Sequence, residues 1–390
     1  MKPKTNNLNF IKCNENMDDN LKNFLLDFKE ALFKVQFYIE NDEYVQEQSK
    51  KPTENISKTK QKKEKTFNEL LNILKKSILG QEKQVEELLT SIYKQIRFPE
   101  LKSNILILGP SGSGKTASIK IIADNLNLPY TIEDATQYTE EGYIGESISS
   151  MLCNLLIESD FDLKAAETGM LIIDEIDKKS GKASIGRDVS GTNVLQSLLK
   201  IIEGGPIKLP EKFIYDYDLD FNTFDTSNLK IILLGAFDGL TKQIEEGNKQ
   251  SIGFNQNIIK KSINDITKED IIKYGMPREF VGRISTIISM NKLTESDLAN
   301  IVRTSKISFF KKYIKIFKDN NIKLTFSNDL YNKIAKKAIK SNTGARELNN
   351  IIDKLFEKVI FTMLSTDIKG YSKCKLNNDI LENNFSFKFS

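Results

Sequence analysis

Gly109, Pro110, Ser111, Gly112, Ser113, Gly114, Lys115 and Thr116 carry the clearest chemical meaning in this chain, because together they fill the spacing G-x-x-x-x-G-K-[ST]. Glycines at these places let the backbone curl so that several N–H groups turn inward onto phosphate oxygens. A helix beginning there adds the partial positive charge of its N-terminus. Lys115 would reach the β- and γ-phosphates, and the Thr116 hydroxyl would take a Mg²⁺ position. Further along, Leu171, Ile172 and Ile173 lead into Asp174 and Glu175. Asp174 is expected to hold Mg²⁺, directly or through water, and Glu175 to polarise the attacking water. An exposed acidic strand end would explain the second motif alone; behind a complete phosphate loop it does not. The pair implies magnesium-dependent hydrolysis of ATP or GTP. Asp177 has no role that can be assigned from the sequence.

Such groups need a rigid frame. An apolar strand over Asn104–Leu108 runs into the phosphate loop, and an amphipathic helix from Ala117 to Leu126 leaves it. Apolar runs at Met170–Ile173 and Lys230–Leu234 alternate with helical segments from about Thr66 onward. That alternation predicts an α/β domain, a parallel sheet with helices on both faces, over residues 66–288. Residues 289–390 read as a small, mainly helical α+β domain with strands at Ile322–Phe326 and near Tyr371–Leu376. Residues 1–47 read as a helical segment, with Phe24, Leu25, Phe28, Leu32, Val35 and Ile39 on one apolar face, and residues 48–65 as a Lys-rich linker.

Composition excludes several chemistries. The 390 residues include no histidine and three scattered cysteines, Cys13, Cys153 and Cys374. No zinc site, no disulfide framework and no Ser-His or Cys-His catalysis are expected. A net charge of +4 is too small to imply nucleic acid. The linker has no interleaved aromatics, so no nucleic-acid partner is expected. No apolar run reaches the ~20 residues of a membrane span, and the N-terminus lacks a signal-peptide core. A cytoplasmic protein is expected, with no membrane partner.

The stretch from about Ile78 to Leu364 resembles the ClpX family of AAA+ unfoldases. The resemblance rests on ordered segments: Ile78-Leu-Gly-Gln81, Glu140-Glu-Gly-Tyr143-Ile-Gly-Glu146, Gly186-Arg187-Asp-Val-Ser-Gly191, Asp225-Thr-Ser with Gly235-Ala-Phe237, Pro277-Arg-Glu-Phe-Val-Gly-Arg283, and Thr343-Gly-Ala-Arg346. It implies a P-loop AAA+ large domain and a homo-hexamer that hydrolyses ATP to pull unfolded or tagged proteins through a central pore. By this likeness Ile78 and Leu79 would cover the adenine base. Gly142, Tyr143, Ile144 and Gly145 would form the loop that grips substrate, and Arg187 would belong to a second pore loop. Arg283 would be an arginine finger completing the neighbouring subunit's site, and Arg346 would touch the phosphates in cis. Ile252, Gly253 and Phe254 would dock on a ClpP-like peptidase.

The chain also departs from the family pattern. It lacks the four-cysteine zinc domain that usually begins ClpX, and Gly204 to Thr223 has no basic Arg-Lys-His loop and is partly acidic. The sensor-1 position holds Gly235 where many AAA+ proteins have a polar residue. Two further readings stay open at this point: a remodelling chaperone that works without a peptidase, and a DNA-linked AAA+ switch.

Overall fold

The computed structural model describes residues 65–138, 147–180, 189–240, 265–304, 306–341, 344–365, 373–376 and 387–389. The N-terminal helical segment and nearly all of the Lys-rich linker lie outside them. From Lys65 the elements run α1 (Phe67–Ser77), α2 (Glu82–Arg97), β1 (Ile105–Leu108), α3 (Lys115–Leu126), β2 (Tyr130–Asp134), α4 (Ser150–Glu158), α5 (Leu163–Glu167) and β3 (Met170–Asp174). A 3₁₀ turn (Ile176–Lys179) follows, then α6 (Val189–Glu203), β4 (Pro206–Lys208), α7 (Glu211–Asp216), β5 (Thr223–Asp225) and β6 (Lys230–Gly235). After these come α8 (Lys268–Tyr274), α9 (Arg278–Gly282), β7 (Thr286–Ser289), α10 (Glu295–Thr304), α11 (Lys306–Asp319), β8 (Lys323–Phe326), α12 (Asn328–Lys340), α13 (Arg346–Ser365), β9 (Lys373–Leu376) and β10 (Phe387–Phe389).

The five-stranded sheet has the order β2-β3-β6-β1-β7, and every pairing is parallel. Its central strands are apolar through their interiors, with charge only at Lys230 and Asp174 on strand ends, because both faces are covered. Leu106 and Leu108 of β1, Leu171 and Ile173 of β3, and Ile231 and Leu233 of β6 enter the core shared with α4 and α6. The intervening Ile105, Ile107, Met170, Ile172, Ile232 and Leu234 enter the opposite core with α1, α2 and α3. The two-residue period of a strand thus splits one apolar run between two cores.

Three of the five strands were anticipated from apolar runs. β2 and β7 escape that criterion. β2, Tyr-Thr-Ile-Glu-Asp, is an edge strand of alternating burial, and β7 spans four residues of which the first and last, Thr286 and Ser289, are polar. The order also explains the ligand crevice. The chain leaves β1 for β2, which lies on the far side of β6 and β3, so the crevice opens outside the carboxyl ends of β1, β6 and β3.

Beyond Met290 a separate apolar cluster gathers α10–α13, β8 and β9, with Phe310, Phe317, Phe356, Ile334 and Leu348 fully buried. A three-stranded sheet, β10-β9-β8, flanks these helices. This agrees with the expected α+β character of the C-terminal part and adds β10. No described helix is long and apolar enough to cross a membrane.

Candidate active site

The phosphate loop leaves the end of β1 and enters α3 at Lys115. A cavity of about 360 Å³ opens there. Ser111 to Thr116 line it from the loop, Asp174 and Glu175 from the end of β3, Ala236 from the end of β6, and Arg346 from the start of α13. Four segments far apart in sequence therefore converge where the sheet topology predicts a ligand.

Lys115 is largely enclosed. Its ammonium donates to the carbonyls of Gly109 at 2.5 Å and Pro110 at 3.0 Å. Burial pushes its pKa below the usual lysine range; the Asp174 carboxylate opposes that shift, and the Arg346 guanidinium adds to it. At the end of β3, Asp174 Oδ1 accepts the backbone N–H of Glu175 at 2.8 Å. Glu175 itself has φ 57° and ψ 30°, in the left-handed region, which is uncommon for a residue with a Cβ. This bend lifts the Glu175 side chain out of the sheet and exposes it beside the cavity.

Asp177, which had no role in the sequence, is 2% exposed and also lines the cavity. Its two carboxylate oxygens accept the N–H groups of Ala236 and Phe237, each at 3.2 Å. Gly235 is explained by the same contact. A Cβ there would fall 2.5 Å from the Phe237 ring and 2.9 Å from Asp177 Oδ1. The polar group beside Gly235 is thus the Asp177 carboxylate of the 3₁₀ turn. The only sequence clue was an acidic residue in a short turn directly after Asp174 and Glu175.

Arg346 is held to the phosphate loop through its neighbours. Ala345 donates to the Gly112 carbonyl at 3.3 Å. Gly344 has φ +60°, and a Cβ there would lie 2.7 Å from the Ser111 carbonyl oxygen. Phe309 of α11 and Asn349, one turn beyond Arg346, also line the cavity. Neither was anticipated, because nothing in the sequence marks them apart from ordinary helix residues.

Ile78 and Leu79 do not line this cavity. Ile78 is 7% exposed and its Cγ2 lies 3.3 Å from where a Cβ of Gly114 would be, so it packs behind the loop. The nearby Gln81 is fully buried; its amide nitrogen donates to the carbonyls of Ser113 and Asn291, and its oxygen accepts the Asn291 N–H. Arg283 also stands apart from the cavity. It follows α9, and its guanidinium pairs with Glu203 at 2.6 Å. Gly142, Tyr143, Ile144, Gly145, Arg187, Ile252, Gly253 and Phe254 lie outside the described residues.

Residues 100–287 match the family model of the AAA domain (Cdc48 subfamily), and residues 293–374 match that of the C-terminal, D2-small domain of ClpB protein. A protein of Treponema denticola named ATP-dependent Clp protease ATP-binding subunit ClpX is 38% identical over 343 residues, which cover 82% of this chain and 82% of that relative. ClpX of Borrelia duttonii is 38% identical over 325 residues, covering 77% of this chain and 75% of its own. ClpX of Bacteroides fragilis is 35% identical over 324 residues and 78% of each chain. The chain belongs to the ClpX family. This ClpX-family protein is an ATPase that binds nucleotide. Its cavity suits a magnesium nucleotide: Thr116 and Asp174 offer oxygen donors, as Mg²⁺ prefers, and Ser113 Oγ is buried without a hydrogen-bond partner among the described residues.

Proposed function

We propose that this chain is an ATP-driven protein unfoldase and translocase that works as a homo-hexamer, threads unfolded or tagged proteins through its pore, and delivers them to a ClpP-like peptidase. The observation that carries the proposal is the separation of two arginines. Arg346 lines the chain's own phosphate cavity, whereas Arg283 lies outside it on an exposed shoulder. A cation that is to complete a neighbour's site must stand outside its own. The relatives' names, each a Clp protease ATP-binding subunit, support delivery to a peptidase over a chaperone acting alone.

The chain's residues divide the work as follows. The loop from Ser111 to Thr116 presents backbone N–H groups to the phosphates, and Lys115 and Arg346 bring positive charge. Thr116 and Asp174 hold Mg²⁺, which when bound neutralises charge on the β- and γ-phosphate oxygens. Glu175 accepts a proton from the attacking water, and Arg283 of the adjacent copy stabilises the transferring group. Ile78 and Leu79 shape the apolar side on which the base rests. Gly142, Tyr143, Ile144 and Gly145 grip substrate, Arg187 lines the second pore loop, and Ile252, Gly253 and Phe254 dock on the peptidase.

The test is a set of variants. Glu175→Gln keeps ATP binding within about threefold and lowers kcat by at least ~10²-fold. Arg283→Ala lowers it by ~10³-fold or more at protein concentrations that favour the ring. Tyr143→Ala keeps ATP turnover and loses unfolding. Full ATP turnover by Arg283→Ala in a monomeric preparation would overturn the ring.

A further inference from the structure

Glu133 of β2 is a carboxylate at 6% exposure, with no ion-pair partner among the described residues. Neutral donors hold it instead. The Thr131 hydroxyl donates to one oxygen at 2.5 Å and the fully buried Tyr138 hydroxyl donates to the other. The Asn154 amide of α4 reaches both, at 3.1 and 3.3 Å. A buried carboxyl group is costly unless its hydrogen bonds are complete, and an apolar residue of similar volume would often be as stable. The arrangement therefore argues for fixed geometry rather than for stability.

What the cluster fixes is specific. Tyr138 is the last described residue before Tyr143, five positions on, and Asn154 lies in the first helix after it. Glu133 joins the chain on the two sides of residues 139–146. The backbone of Tyr138 is tied once more: its carbonyl accepts the Lys179 ammonium at 3.0 Å. Lys179 ends the 3₁₀ turn that Glu175 begins, and the same turn holds the end of β6 through Asp177. Two side chains of one four-residue turn thus reach in two directions, Asp177 to the crevice strand and Lys179 to the root of the substrate segment.

We propose that Lys179 is a positioning residue that carries the state of the hydrolytic turn to the chain on either side of residues 139–146, by way of Tyr138, Glu133 and Asn154. A chain of hydrogen bonds between rigid elements, buried at Glu133 and partly buried at Lys179 and Asn154, can carry such coupling, because displacing one member leaves polar groups unpaired. The proposal rests on the reading that residues 142–145 grip substrate.

The test reads that segment directly. Tyr143→Cys is labelled with a solvent-sensitive thiol fluorophore in the full chain carrying Cys13→Ser. Cys153 and Cys374 are buried, with thiol pKa values pushed up to about 11, and stay unlabelled. Emission is compared between a slowly hydrolysed ATP analogue and ADP. The labelled parent should show a nucleotide-dependent shift. Lys179→Met should reduce that shift at least fivefold, Lys179→Arg should restore it, and Tyr138→Phe, which removes one hydroxyl, should reduce it about twofold. ATP turnover of unlabelled Lys179→Met and Tyr138→Phe should stay within about twofold of the parent. An unchanged shift in Lys179→Met overturns the proposal while leaving the gripping segment intact. A parent without any shift overturns the gripping reading and this proposal with it. Loss of ATP turnover in step with the shift in both variants reduces Lys179 to a structural support and also overturns it.

Discussion

Arg283 and Glu203 form an ion pair at 2.6 Å on the shoulder between α9 and the end of α6. Asn104 brackets the same place, donating to the backbone carbonyls of Ile202 at 3.2 Å and Arg283 at 3.0 Å. The backbone at Arg283 is therefore tethered to α6 and to the entry of β1, while its side chain stays half exposed. An exposed pair of this kind contributes about 0.2–1 kcal/mol. Glu203→Gln should leave the thermal midpoint within a few degrees of the parent. Asn104→Ala removes a buried bracket and should lower stability by about 1–3 kcal/mol. Calorimetry on the two variants distinguishes a weak surface pair from a structural tether.

Asp177 is expected to matter more for stability than Asp174 or Glu175, which precede it in the acidic run. Asp177→Ala leaves the N–H groups of Ala236 and Phe237 without their acceptors and opens space beside the Phe237 ring. A loss of about 2–4 kcal/mol is expected, together with a fall in kcat larger than any change in nucleotide affinity. Asp177→Asn presents an amide N–H₂ to one of the two donors and should fall between the parent and alanine. Urea unfolding and nucleotide titration check both.

Gly344→Ala tests the seat of Arg346. The new Cβ would press on the Ser111 carbonyl at 2.7 Å and would demand φ +60° of a residue that resists it. The start of α13 must retreat from the phosphate loop, so Arg346 should lose its hold on phosphate. Nucleotide affinity is expected to fall about tenfold or more, and global stability by only about 1–2 kcal/mol. Fluorescent-nucleotide titration beside thermal melting separates the two effects.

Lys230 makes stability depend on alkaline pH. Burial lowers its pKa from 10.5 to about 8, and its ammonium donates to the Thr168 carbonyl at 2.6 Å. Because the folded-state pKa is depressed, the unfolded chain holds more protons between about pH 8 and 10.5. This group's contribution to stability therefore rises with pH across that window and is flat below it. Relative to Lys230→Met, the parent should gain up to about 3 kcal/mol between pH 8 and 10.5. Denaturant midpoints of both proteins at pH 7.5 and 10 read the difference.

The phosphate loop, Asp174, Glu175 and the three central strands were legible in the sequence because their chemistry and burial impose residue types. A loop that wraps phosphate needs glycine and lysine at fixed offsets, and a strand covered on both faces must be apolar throughout. Asp177, Phe309 and Asn349 were not legible. Each lies on an ordinary turn or helix, and only tertiary placement brings it to the cavity. Gly235 was read as a missing polar group, whereas it is a space requirement set by Phe237 two residues later. Ile78 packs against Gly114 of the phosphate loop and stands outside the lining of the phosphate cavity, a placement that apolar spacing does not encode.

Gln81 limits how the two halves around the crevice can swing. Its one amide grips Ser113 on the phosphate loop and both backbone groups of Asn291, where the chain departs for the C-terminal helices. A rotation whose axis passes near this side chain keeps all three bonds, while a translation breaks them and strands buried polar atoms. A movement of the C-terminal helices that preserves these three bonds is thereby a swivel with its pivot beside the phosphate loop.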